Sequence, residues 1–269
     1  MPYHDNIPVW KVGITVIGPV SIDNDIRLNI RKELEHPDPF YSDIYIVGTN
    51  NGFNATVTAF APNPNLAEKA AILFFGRMLD VLSLRLDLPL QLDLTRNILI
   101  PTNSERVRRL IDRDDFYRAF REARLLSLSE TTFLRSLGWF RKGKYTQDPF
   151  DKFLAFWNSI ETVASKYNPN KLNCKSKGTV CHIWECFKTL WGEECNSWEY
   201  ISGQTDWIDI CNKYRKDIAH GIIPIEINSV EAVLSKIAEL ENISRKFLFD
   251  WRNTQLNPEI TPEMEQKLN

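Results

Sequence analysis

The chain opens with apolar and polar residues in alternation. Val12, Ile14 and Val16 fall on one side of an extended segment, and Lys11, Gly13 and Thr15 on the other. That two-residue period predicts a strand with one buried face, ended by Gly18-Pro19. Further strands are expected over Asp43 to Val47 and Phe53 to Phe60. Between them, Gly48-Thr-Asn-Asn-Gly52 is rich in residues that tolerate positive φ, which favours a hairpin. The period then lengthens. Leu66, Ala70, Leu73, Phe74, Met78, Val81 and Leu82 recur at helical spacing. Asn65 followed by Glu68 has the form of a capping box, so a helix is expected from there to about Leu84. Alternation returns from Leu86 to Leu94.

From Pro101 the helical period dominates. Arg106 to Leu126 and Ser129 to Phe140 read as two helices. The next helix has a clear start, with Asp148 at N-cap, Pro149 at N1 and Asp151 in the first turn. Its apolar stripe is Phe153, Phe156, Trp157, Ile160 and Ala164, and Asn168-Pro169 stops it. Shorter helices are expected over Val180 to Trp191 and Thr205 to His220, the second closed by Gly221. The last starts near Asn228 or Ser229 and carries Val230, Val233, Leu234, Ile237, Leu240, Phe247, Leu248 and Trp251 on its stripe. The expected class is therefore α+β. Residues 1–100 form a small sheet with one long helix, 101–144 a helical connector, 145–256 an all-α helical bundle, and 257–269 a polar tail.

Composition narrows the function classes. With 269 residues, 43% hydrophobic and 25% charged, the chain is ordinary globular protein rather than a disordered one. A formal charge of −2 does not advertise nucleic acid. Residues 104–142 nevertheless hold ten basic and six acidic side chains, a local excess of +4. That fits a solvated helix face first and a phosphate-tracking surface second. No apolar run approaches the roughly 20 residues that span a bilayer. The terminus MPYHDNIPVW lacks the basic and apolar regions of a signal peptide. Five cysteines with no CxxC pair lead us to expect reduced thiols in a cytoplasmic protein.

Several motifs fail on inspection. Gly138 to Gly143-Lys144 has P-loop spacing, but Tyr145 stands where a magnesium-binding Ser or Thr is needed, and the preceding segment reads as helix. Cys174, Cys181, His182, Cys186, Cys195 and Cys211 cluster in sequence, yet only Cys181 or His182 with Cys186 approaches the pairing of a structural zinc site. Core cysteines are the commoner reading, and no metal or cofactor is expected. His4 falls in a terminus and His36 before Pro37 in a turn-like stretch.

His220 alone sits in a chemically suggestive context, Tyr214-Arg215-Lys216-Asp217-Ile218-Ala219-His220-Gly221. Cleaving RNA without metal needs a base for the 2′-OH, an acid for the leaving oxygen and a cation for the phosphorane. Histidine titrates near neutrality and fills either proton-transfer role, while arginine grips phosphate with a planar fork. On a regular helix of about 100° per residue, positions 215 and 220 lie roughly 140° apart. Local unwinding at Gly221, or two such helices facing each other in a dimer, would bring the groups together. Structural roles for the same residues are helix capping, an Arg215 pair with Asp217 or Glu161, and a His220 that complements the helix dipole. Glu161 lies one turn after Trp157 beside the apolar stripe, where a carboxylate is expected to be partly buried and paired. Tyr214 is expected in the core.

Residues 133–221 resemble the HEPN superfamily, in particular its ApeA-like HEPN and MauJ-like groups. Leu137-Gly-Trp139 followed by Asp148-Pro-Phe-Asp151-Lys-Phe153-Leu-Ala-Phe-Trp157-Asn-Ser-Ile-Glu161 is similar to that family's first long helix. Arg215-Lys-Asp-Ile-Ala-His220 matches its R-x4–6-H signature. The resemblance implies a helical bundle that homodimerises with these motifs together. It implies a metal-independent endoribonuclease in a toxin–antitoxin or phage-defence setting. Arg215 would then stabilise the phosphorane and His220 would transfer protons, with Asp217, Lys216, Glu161 and Tyr214 as accessory groups. The chain departs from the pattern at Lys216, where many members carry Asn, Asp or His, and its acid, Asp217, comes one residue later. Partners on this reading are RNA, a second copy, and a trigger or partner protein at the N-terminal domain, with no membrane. The rival readings are a non-catalytic HEPN scaffold and a metabolite-binding regulator built on the N-terminal domain, for which no motif is present.

Overall fold

The computed structural model describes residues 8–29, 40–93, 108–174, 178–224 and 226–256. His4, His36, Leu94, Arg106 and the polar tail at 257–269 lie outside the described residues. The protein is α+β, an antiparallel sheet with a long helix followed by a region of packed helices. Its contacts divide it into two compact units, one ending at Leu128 and one starting at Ser129.

The first unit is built on five strands: β1 (Val9–Ile17), β3 (Ile26–Asn29), β4 (Phe40–Thr49), β5 (Gly52–Phe60) and β6 (Gln91–Asp93). They pair antiparallel in the order β3-β4-β5-β1-β6. A short β2 (Val20–Ser21) pairs in parallel with β7 (Arg109–Leu110). Val12, Ile14 and Val16 are buried as their alternation requires. Thr49 pairs with Gly52, so the β4–β5 turn is the two residues Asn50-Asn51. Gly52 has φ of 145°, and a Cβ there would lie 2.0 Å from the Val16 carbonyl oxygen, which excludes every other residue.

Helix α1 (Pro64–Leu86) starts earlier than the Asn65 pattern predicts. Asn63 is the cap, its side-chain oxygen accepting from the Leu66 N–H at 3.0 Å, and Pro64 occupies N1, where its fixed φ is already helical. The helix also runs further, to a left-handed Asp87. The Leu86 to Leu94 alternation is therefore not one strand. Leu86 is helical, the Leu88 N–H bonds back to the Ser83 carbonyl, and only Gln91–Asp93 join the sheet, beside Thr15 to Ile17.

The expected helix from Arg106 begins at Arg113 instead, as α2 (Arg113–Ser129). Asp112 and Asp115 fix that start reciprocally, each carboxylate accepting from the other's backbone N–H. Phe116 packs edge-on against Phe53 at 5.2 Å, and Phe120 against Phe75 at 5.7 Å. The stretch 101–144 is thus shared, with α2 on the sheet unit and the next helix in the second unit.

The second unit holds α3 (Thr131–Tyr145), α4 (Pro149–Tyr167), α5 (Gly178–Trp191), α6 (Trp207–Ala219) and α7 (Ile227–Thr254). Asp148 caps α4 as expected, accepting from the Asp151 N–H at 2.9 Å. Phe153, Phe156, Trp157, Ile160 and Ala164 are all buried, which makes α4 the central element. Tyr167 donates to Glu130 at 2.7 Å and accepts from the Phe133 N–H, tying the end of α4 to the start of α3. Ser159 and Ser244 bond across α4 and α7. Phe187 contacts Trp191, Trp198 and Phe247 in an aromatic cluster. Leu234, expected on the buried stripe of α7, is 51% exposed, because in this first part of the helix the core takes up Val233 and the next position lies about 100° round the helix. Among the described residues no helix is long and apolar enough to cross a membrane.

The P-loop-like segment is helix α3 throughout. Gly143 is buried there, and a Cβ would come within 2.7 Å of the Phe156 ring. Its role is close helix packing. Replacing Gly143 with Ala gains about 1 kcal/mol of helix propensity but forces overpacking that costs about 1–3 kcal/mol in a filled core. Gly143→Ala should therefore lower the denaturation midpoint in urea, where propensity alone would raise it.

The cysteines correct the expectation of reduced thiols. Cys174 and Cys181 form a disulfide, with Cα atoms 5.6 Å apart, well inside the bridging range. Cys174 ends a short 3-10 turn over Lys171–Cys174 and Cys181 lies in the first turn of α5, a meeting that sequence spacing does not announce. Cys186 and Cys211 are buried and Cys195 is partly exposed. Among the described residues no group of three or more His, Cys, Asp or Glu is arranged to hold a metal. Burial pushes the Cys186 and Cys211 thiols up to about 12. Their folded-state values are raised, so the stability they contribute is complete below the unfolded thiol value and is lost as pH climbs toward 12. A thiol reagent at pH 8 should accordingly modify Cys195 alone in the native protein, three cysteines after denaturation and all five after denaturation with reduction, read by intact mass.

Candidate functional site

The site grows from one carboxylate. Glu161 lies on the flank of α4, one turn after Trp157. Its Oε2 accepts from the Trp157 indole N–H at 2.9 Å, and its Oε1 accepts from the Thr179 hydroxyl at 3.1 Å. Arg215 approaches from α6, with Nε 3.4 Å from Oε2 and Nη2 3.5 Å from Oε1. Four donor groups on three helices therefore converge on two oxygens. The side chains of Arg215 and Glu161 retain 31% and 19% of their exposure, so water screens the pair in part. The contact uses the Nε–Nη2 edge of the guanidinium. Among the described residues no partner occupies the Nη1 end.

Helix α6 buries Trp207, Ile208 and Cys211. Tyr214, expected in the core, is only half-buried and rests against Phe153 with ring centroids 6.0 Å apart. Lys216 is exposed and Asp217 half-buried. Their carbonyls, not their side chains, do the local work. The Lys216 carbonyl accepts from the His220 N–H, and the Asp217 carbonyl from Ile222 and Ile223.

His220 is the C-cap residue, with φ −95° and ψ 2°. Gly221 follows at φ 65°. The Gly221 N–H bonds the Ile218 carbonyl at 3.0 Å and the Ile222 N–H bonds the Asp217 carbonyl at 2.8 Å, which is a Schellman closure. The helix therefore runs regularly to His220 and turns only afterwards. The unwinding that would swing His220 round to Arg215 does not occur, and the two positions keep their separation of roughly 140° about the helix axis. The imidazole is exposed to solvent. Cationic groups in this last turn also suit the negative end of the helix dipole.

The structure thus brings together Glu161 and Arg215, adds Trp157 and Thr179, and leaves His220, Lys216 and Asp217 outside that network. Trp157 was legible only as an apolar position; its indole N–H reaches Glu161 because residues four apart stack on a helix. Thr179 carries no sequence signal, since the start of α5 is brought to α4 only by the tertiary fold. No family model, curated protein or solved structure matches the chain.

Removing the hub carboxylate leaves the indole N–H of a fully buried Trp157 and the guanidinium without their acceptor. Glu161→Ala should destabilise the protein by about 1–3 kcal/mol, the cost of an orphaned buried donor. Glu161→Gln keeps an acceptor for Trp157 and should recover part of that loss in the same chemical denaturation series.

Proposed function

We propose that this protein is a metal-independent endoribonuclease of the HEPN type, acting as a homodimer in a defence or toxin-like system. One observation carries the reading: Arg215 is held through one edge by Glu161 while His220 stands exposed at the end of the same helix. A guanidinium fixed this way keeps its Nη1 end for a phosphate oxygen. A second copy meeting the first along α6 would supply the facing Arg215 and His220, so that the groups of one site need not come from one chain. One imidazole takes the 2′-OH proton, and the oxygen attacks the adjacent phosphorus. Arg215 balances the phosphorane charge, and the imidazole of the other copy protonates the departing 5′-oxygen. The products are a 2′,3′-cyclic phosphate and a 5′-hydroxyl. Tyr214, Lys216 and Asp217 would line this cleft as accessory groups. On this reading the N-terminal unit receives the trigger or partner protein. A cytoplasmic setting goes with an RNA substrate, although a stable Cys174–Cys181 bridge is uncommon in a reducing compartment.

The second reading is a non-catalytic HEPN scaffold that binds a partner protein. The same ion pair favours it, since Glu161 already neutralises the cation that a phosphorane requires.

Incubating purified protein with total RNA in EDTA separates the two. Cleavage that leaves cyclic phosphate ends, and that falls at least about a hundredfold in His220→Ala and Arg215→Ala, is the expected outcome, in line with the loss of a general acid–base group. Equal cleavage by wild type and His220→Ala would sink the nuclease reading.

A further inference from the structure

The outer side of α3 combines features that the site on α6 does not use. The helix carries Arg135, Arg141, Lys142 and Lys144 and not one acidic residue. Lys144 is neutralised by Glu241. Arg135 and Lys142 have no carboxylate partner among the described residues. At about 100° per residue, Arg135, Trp139 and Lys142 fall within roughly 60° of one another, on the side opposite the buried Phe133, Leu137 and Phe140. Arg135 is exposed, and Trp139 and Lys142 are partly so. The Lys142 ammonium lies over the Trp139 ring, 5.4 Å from its centroid. One turn on, the Arg141 guanidinium lies 5.8 Å from the centre of the Tyr145 ring.

We infer that this stripe of α3 is a binding surface for single-stranded RNA, with Trp139 stacking an unpaired base while Arg135 and Lys142 hold the flanking phosphates. The inference rests on the nuclease reading for its choice of RNA as the ligand. Uncompensated cations beside an accessible indole match a polyanion that also offers planar faces. An acidic peptide would satisfy the charges and leave the ring unused. A membrane surface would need a broad apolar face to enter the acyl boundary, and the stripe presents a single indole among Arg135, Gly138 and Lys142 instead. A duplex keeps its bases stacked on one another and cannot offer one to Trp139. In the free protein Lys142 covers the indole. That exposed cation–π contact is the weaker of the two interactions, so an incoming base displaces it and the ammonium moves to the phosphate.

The experiment measures fluorescence anisotropy of a short labelled single-stranded oligoribonucleotide with the full chain, in a His220→Ala background so that the probe survives. Trp139→Ala should weaken binding roughly tenfold, within the range of one lost base stack. Trp139→Phe, which keeps a ring, should recover most of it. Arg135→Ala with Lys142→Ala should lower the slope of log affinity against log salt by about 1.4, two phosphate contacts on a single strand. A duplex of the same sequence should bind more weakly. Unchanged affinity in Trp139→Ala would overturn the inference, as would a preference for duplex, or binding to phosphatidylserine-containing vesicles with no RNA binding. The two ideas fail separately. Cleavage abolished by His220→Ala with binding untouched by the α3 variants defeats this surface alone. Binding lost in the α3 variants with no cleavage by wild type defeats the nuclease alone.

Discussion

A carboxylate that is four-fifths withdrawn from water is tolerable only if its oxygens are occupied, and Glu161 meets that condition from three directions. Its own helix supplies the Trp157 indole, α5 supplies the Thr179 hydroxyl and α6 supplies the Arg215 guanidinium. The constraint works both ways. The charge draws α5 and α6 toward α4, and the packing of those helices limits, without abolishing, the access of water to the charge. The placement of Arg215 follows from this arrangement. The guanidinium points where it does because one of its edges is already committed, whereas His220 stands in solvent at the C-terminal turn of α6, outside this network.

The parts of the fold that sequence makes legible are those governed by local physics. Strand β1 is defined by the alternation of Val12, Ile14 and Val16, and the β4–β5 turn by residues that accept positive φ. Helix α4 announces itself because Asp148, Pro149 and Asp151 are each suited to its first turn. Errors arise where two local signals compete. Asn63 and Asn65 both cap helices well, and Pro64 between them decides for Asn63. Leucines at every second position from Leu86 imitate one strand, but a left-handed Asp87 and the return of Leu88 to Ser83 make the start of that segment a helix ending.

What stays illegible depends on residues distant in the chain. The Cys174–Cys181 bridge, the Thr179 contact and the exposure of Leu234 are all decided by how helices meet. The candidate site divides along the same line. The pairing of Glu161 with Arg215 could be anticipated from a charge beside an apolar stripe and a cation needing a partner. The relation of Arg215 to His220 was bounded by helix geometry alone, and the regular course of α6 keeps to that bound. In a single chain the two groups diverge, which is why the nuclease reading requires a second copy rather than being improved by one.

The closing turn of α6 has a bearing on how such a site can change over generations. Gly221 takes its left-handed conformation in open space, with no atom within 4 Å of where a Cβ would stand. The helix end is therefore shaped by backbone preference and by hydrogen bonds among neighbours in sequence, without help from the hydrophobic interior. Selection can lengthen, shorten or re-aim the imidazole's support there at the expense of a few local bonds. The chemistry at that tip is free to drift while Trp207, Ile208 and Cys211, about two and a half to three and a half turns away, go on anchoring the helix unchanged.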